Sequence, residues 1–435
     1  MEREKSKRDG ECPVEPISSC RDEHGYVPTA TNNNNNNKTK SSPSSETRWY
    51  LPGTQENQAR GPWIRGLPLP LPVWAHYEAP TLTVNSILQY EELASSVELE
   101  TQRLLRERRY DTLDNLLRFY RDFKQSGDNS LEHFYRKYQP LIVEERHTCV
   151  GLGLELVRRL CVNLECRFPG LSQGLYLASC EETIGDVASY VGGPPAADSG
   201  EKEHVLVCLK VIIGENRRGL LLLDPGYHVA RVVTVMHDKM YPHTGWFTQS
   251  DEEGSPKKEF NYSFCSSDPD YVEWHERRTA RRLSALETRS QVALVYVARP
   301  YLTAIDVTER RNLAYNYRSL LARDAKGHLT AGLYFELKSP SEQSPQLASF
   351  NIFHQTNTGK NRTKLPFAKF RQCPNKVELD QEDASMIAEC ARLMSMSQES
   401  LKQLLAQLAT LIFDTSFTSQ LLAINANINC IAKDN

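Results

Sequence analysis

From residue 86 onward the apolar positions recur at helical spacing. Ile87, Leu88, Tyr90, Leu93, Val97, Leu104 and Leu105 form one stripe and predict a helix from Ser86 to Arg108. Asp111 is placed to cap a second helix, on which Leu113, Leu116, Leu117 and Tyr120 share a face. Leu131 to Tyr138 predicts a third, stopped by Pro140. A fourth begins near Thr148 or Cys149, where Leu152, Leu156 and Leu160 recur every fourth residue. The period then changes. His204 to Ile213 (HVLVCLKVII) is rich in Val and Ile and reads as a strand. GENRRG reads as a turn, followed by strands over Gly219–Leu223 and Tyr227–Val235, broken at Asp224-Pro225-Gly226. A loop is expected over 248–268 and a charged helix from Glu273 to Glu287. Strands are expected over Gln291–Ala298, His328–Leu337 and Leu347–Phe353, and a long amphipathic region of one or two helices over 380–413.

The first residues break this pattern. Residues 1–62 are poor in apolar side chains and include the run Asn32 to Asn37 and the Ser-rich patch Ser41 to Ser45. Such a composition buries too little surface to offset chain entropy, so disorder is expected. Leu67-Pro-Leu-Pro-Leu-Pro72 reads as polyproline II, a stiff lead-in that Trp63 and Trp74 are placed to pin. The expected layout is a disordered tail over 1–75, rich in Asn, Ser and Pro. Helices and a core follow over 76–240, further strands and loops over 241–379, and a C-terminal helical region and tail over 380–435. The fold class is α+β: a helical N-terminal part, a central antiparallel sheet packed on the helix that starts at Cys149, and C-terminal helices.

The chain has 435 residues, 40% hydrophobic and 25% charged, with net charge −3. No basic field points to nucleic acid or anionic lipid. The N-terminus MEREKSKRDGE is too charged for a secretory signal. The apolar run Gly219 to Leu223 is far short of the roughly 20 residues that span a bilayer. A cytoplasmic chain, or a nuclear one, is expected. The eleven cysteines include no Cys-x-x-Cys pair, which predicts free thiols rather than a zinc ribbon or disulfide framework.

Thiol catalysis requires a thiolate, a base to hold its proton, and a group that orients the base. Cys149 stands at a helix start, where unpaired N–H groups favour the anion. His204 opens a strand and Asp224 ends the next. The turn between them predicts antiparallel neighbours, and a helix packed on that pair would bring Cys149 to His204. The same residues have ordinary structural uses, as a buried thiol, a strand-start histidine and a turn-forming aspartate.

The order of these three residues resembles the transglutaminase-like core, which is shared with arylamine N-acetyltransferases and papain-type proteases. The matching pieces are Cys149 with CVGLGLELVRRLCVNLECRFPG, then Glu203-His204-Val205, then Leu222-Leu223-Asp224-Pro225-Gly226-Tyr227. They lie within residues 140–235. The resemblance implies Cys149 as nucleophile, His204 as base and Asp224 as its orienter. Its departures are Arg146-His147-Thr148 where the acetyltransferases carry Arg-Gly-Gly, the absence of their downstream helix Asn, with Gly153 near that place, and Leu206 where transglutaminase-like proteins carry Trp. The implied function is a thiol-dependent acyltransferase or amide hydrolase working through a thioester on a small-molecule or protein acyl substrate. The alternative is a non-catalytic interaction or scaffold protein that retains the fold and binds protein partners through its tail and C-terminal helices.

Other signals are weaker. No cofactor is required, with acyl-CoA a candidate acyl donor only. Arg277-Arg278 and Arg281-Arg282 would grip its phosphates if they share a helix face, although a solvated face is the commoner use. His228, His237 and His243 fit no metal spacing. His147 is an alternative base, and Gln139 a candidate oxyanion donor by analogy with the glutamine upstream of the cysteine in papain-like enzymes.

Overall fold

The computed structural model describes residues 59–143, 146–193, 201–251, 256–282, 285–357, 359–371 and 379–432. Residues 1–58, most of the expected tail, lie outside them. The chain after that point packs on the body. Gly61 N–H donates to Asp306 Oδ2 at 2.9 Å, and Val73 N–H to Thr303 Oγ1 at 3.0 Å. Trp63 meets Tyr135 edge to face, and Trp74 bridges to Tyr301.

The fold is mixed α+β. The first part runs β1 (Leu82–Val84), α1 (Ile87–Glu107), β2 (Arg109–Asp111), α2 (Leu113–Ser126), α3 (Leu131–Lys137) and β3 (Arg146–His147). Ser86 caps α1 by accepting from Gln89 N–H. Asp111 Oδ1 accepts from Leu113 and Asp114 N–H at 2.8 and 3.1 Å, so the expected aspartate starts α2. Next come α4 (Cys149–Leu164), α5 (Leu171–Gly174), β4 (Leu175–Glu181), α6 (Val187–Val191), β5 (His204–Ile213), β6 (Arg217–Leu223) and β7 (Val233–Met236). They are followed by β8 (Phe247–Ser250), β9 (Lys257–Phe264), β10 (Tyr271–Arg282) and β11 (Ala285–Tyr296).

Strands β4 to β11 with β1 make a nine-stranded sheet in the order β7-β6-β5-β4-β11-β10-β9-β8, with β1 parallel to β5 and off that path. The sheet curls until β7 lies against β9. Around β4 to β7 both of its faces are buried. Val205, Val207 and Leu209 pack with Leu152, Leu156 and Leu160 of α4. Leu206 and Cys208 turn the other way, toward Trp274, Val272 and Val295. That two-sided burial is why β5 is an almost unbroken apolar run.

A π-helical turn (Ala304–Glu309) leads into α7 (Arg310–Ala314), then β12 (Tyr317–Arg323), β13 (Leu329–Glu336), β14 (Ser349–Thr356) and β15 (Gly359–Pro366). Strands β15-β14-β13-β12-β2-β3 form a six-stranded sheet. Helices α8 (Gln381–Leu393), α9 (Gln398–Phe413) and α10 (Thr415–Ala432) close the chain. Leu320, Leu333 and Ile352 of the sheet share a core with Ile387, Leu405 and Leu421 of these helices. None of the helices among the described residues is long and apolar enough to cross a membrane.

Three expectations need correction. Glu273–Glu287 is no helix: β10 and β11 pair as a long antiparallel hairpin, Tyr271 opposite Tyr296 and Arg278 opposite Arg289. Val272, Trp274 and Glu276 alternate inward there, and the buried glutamate hides the period-two signal. Arg277 and Arg278 therefore point to opposite faces of a strand. The supposed loop 248–268 contains the end of β8 and all of β9. The strand expected over Tyr227–Val235 is confined to Val233–Met236, because Asp224 accepts from Tyr227 N–H and Val229 N–H and folds the chain into turns first.

Candidate active site

The short turn after β5 sets the register Val207↔Leu223 and Ile213↔Arg217. Continued three residues past Leu223, this register faces His204 with Gly226 and puts Asp224 diagonally beside it on the same face. His204 Nε2–H donates to Asp224 Oδ1 at 3.0 Å. The same oxygen accepts from Tyr227 N–H at 2.9 Å, so the carboxylate is held by its own turn.

Cys149 is the first residue of α4, which packs across β5, and its sulfur lies near enough to His204 to favour the charged ring. With Nε2 on Asp224, Nδ1 is the ring nitrogen left for sulfur. Gly226 makes this approach feasible. A Cβ there would stand 2.7 Å from both Cys149 Cβ and His204 Cε1, far inside contact distance. The thiol, imidazole and carboxylate are thus brought together in the order read from the sequence. Behind the ring, Tyr227 meets His204 edge to face at 4.7 Å, and Trp274 lies at 6.2 Å. The Tyr227 hydroxyl donates to Glu182.

Burial is the largest influence on His204 and disfavours its charged form. The Asp224 carboxylate and the Cys149 sulfur outweigh it and hold the ring well above the ordinary histidine range. Burial pushes the thiols of both Cys208 and Cys390 up to about 12, as expected of apolar core cysteines.

His147, the alternative base, sits on β3 against Gly151, with Nδ1 2.7 Å from where a Cβ on Gly151 would stand. Gly151 lies two positions beyond Cys149, on roughly the opposite side of the helix. Neither His147 nitrogen has a hydrogen-bond partner among the described residues, and burial lowers its pKa to about 4. It is a neutral ring packed behind the helix. Gln139 is half-buried after α3. The amide at the sulfur belongs instead to Asn312, whose Nδ2 lies 3.8 Å from Cys149 Sγ.

The candidate metal histidines have separate engagements. His228 Nδ1 accepts from Arg323 at 3.0 Å, His237 stacks on Phe264, and His243 Nδ1 accepts from Met236 N–H. Among the described residues no group of three or more His, Cys, Asp or Glu is placed to hold a metal ion.

Several residues of the site carry no motif. Arg323 of β12, fully buried, donates to Pro225 O at 2.9 Å and to Arg108 O at 2.6 Å, and so clamps the Asp224-Pro225-Gly226 turn from the other sheet. Glu309 accepts from Asn115 Nδ2 at 2.5 Å and from the Thr148 hydroxyl at the cap of α4. These contacts join segments 194 and 161 positions apart in the chain, where only a folded chain shows proximity. No family model, curated protein or solved structure matches the chain.

Proposed function

We propose that the protein is a thiol-dependent acyltransferase or amide hydrolase, with Cys149 as nucleophile, His204 as base and Asp224 as its orienter. In this reading the sheet and α4 form a transglutaminase-like core related to the arylamine N-acetyltransferases and papain-like enzymes. The observation that carries it is one imidazole bonded through Nε2 to a buried carboxylate, with Cys149 packed beside the same ring across Gly226. Such a ring takes the thiol proton and stays charged beside the thiolate. The thiolate adds to an acyl carbonyl. His204 then returns the proton to the departing amine or alcohol, leaving a thioester that water or an amine resolves.

A second reading, an interaction protein with the same core, is favoured by the closure of the site: Cys149 and His204 are each only 3% exposed. Iodoacetamide labelling followed by peptide mass spectrometry across pH decides between them. Cys149 should label before the other thiols at neutral pH. His204→Ala should slow it about 100-fold, and Asp224→Asn by less, since only orientation and charge support are lost. An inert Cys149 in folded protein, or labelling indifferent to His204, leaves the interaction protein as the answer.

A further inference from the structure

We propose that Asn312 is the side-chain donor that holds the oxyanion formed when Cys149 attacks an acyl carbonyl, and that Glu309 and Arg318 position it. This rests on the reading of Cys149, His204 and Asp224 given above. Asn312 lies in α7, directly after the π-helical turn, and is half-buried, so its amide reaches the site from the outer side. Its Nδ2 stands 3.8 Å from Cys149 Sγ. An oxygen on a carbon newly bonded to that sulfur would fall within donor range of the amide, about 2.7–3.1 Å in working oxyanion sites. The first-turn N–H groups of α4 have no intrahelical partner, and that of Cys149 itself is the natural second donor.

An amide on a short helix is useful only if it is held still. Glu309 does this from one side. It is fully buried, stands three residues before Asn312 close enough to interact with its side chain, and accepts from Asn115 and from Thr148. Thr148 immediately precedes Cys149, so one carboxylate ties the amide to the start of the nucleophile's helix. Arg318 of β12 acts from the other side. It is 1% exposed, and its guanidinium donates to Asn312 O at 2.7 Å and Leu313 O at 2.6 Å. Burying a cation against carbonyls is costly. Here it fixes the backbone of Asn312, whose amide lies 3.8 Å from the sulfur.

The step balances without a further reactant. The Sγ–C bond forms as the carbonyl π pair moves onto oxygen, where Asn312 Nδ2–H and Cys149 N–H receive it. The pair then returns and the leaving group departs with its bonding electrons. With p-nitrophenyl acetate that group is p-nitrophenolate, which needs no proton.

The test compares two reactions of Cys149 in the full chain. Acetylation by p-nitrophenyl acetate builds an oxyanion. Alkylation by iodoacetamide displaces iodide and builds none. Asn312→Ala should slow acetylation about 100-fold while alkylation changes less than about threefold. Glu309→Gln should lower the acetylation-to-alkylation ratio in the same direction and by less. Equal loss in both reactions would make Asn312 a support of the thiol or the fold, and unchanged acetylation would remove it from the oxyanion; either overturns the proposal. Wild-type protein inert in both reactions would instead overturn the underlying thiol-enzyme reading, and this proposal with it.

Discussion

The two sheets differ in how much of themselves they bury. Around β4 to β7 the nine-stranded sheet is covered on both faces, by α1 and α4 on one side and by its own curl on the other. The six-stranded sheet has one face packed by the C-terminal helices. Its opposite face carries Tyr317, which is 43% exposed, and the exposed Arg362 and Lys364. The difference sorts the chemistry. At the end of the doubly covered sheet water is excluded, so the charges of His204 and Asp224 act on each other at low dielectric. The half-open sheet supplies the clamps instead: Arg318 and Arg323 of β12 point away from solvent and grip the carbonyls of α7 and of the turn after Asp224.

The largest expected effect lies on the doubly covered side. Leu156 is fully buried between α4 and β5. Leu156→Ala should lower unfolding free energy by about 3 kcal/mol in urea denaturation, within the usual 2–5. A loss under about 1 kcal/mol would mean that this face is loosely packed, and the contrast between the sheets would fail.

The second effect separates the two histidines nearest the start of α4, His147 and His204. His147 has a folded pKa of about 4 against an ordinary 6.5, so between those values the unfolded chain binds the extra proton. Stability should therefore fall with acid, by up to about 3 kcal/mol between pH 6.5 and 4, and His147→Gln should flatten that limb. His204 has the opposite sign. Its folded value is raised above 6.5, so its contribution is complete below pH 6.5 and is lost as pH rises through the folded value. His204→Gln should accordingly cost more stability at pH 6 than at pH 9. Denaturation midpoints across pH for both variants would show this, and parallel curves would place the two rings in equivalent environments.

The smallest effect is on the open face. Arg362→Ala should change stability by no more than about 0.5 kcal/mol, because an exposed side chain on an edge strand gives up little. A larger loss in the same denaturation assay would reveal that this face is covered.

Much of the site could be read along the chain because its parts are local. α4 begins at Cys149 and β5 begins at His204, as their apolar periods predict. The turn after Ile213 is short enough to force antiparallel pairing, which puts Asp224 beside His204 with no knowledge of the rest. The long hairpin of β10 and β11 was not legible. Its solvent-side charges repeat at spacings a helix would also show, and only pairing across strands reveals the alternation. Asn312 was invisible for another reason, since it approaches Cys149 from 163 positions away. Residue types and local periods by themselves determined the helix that starts at Cys149, the strand pair and the order of thiol, imidazole and carboxylate. Tertiary packing alone decided that Asn312 rather than Gln139 faces the sulfur, and that His147 is a neutral ring behind the helix. Both outcomes depend on which distant groups share a buried space, and local sequence does not encode that.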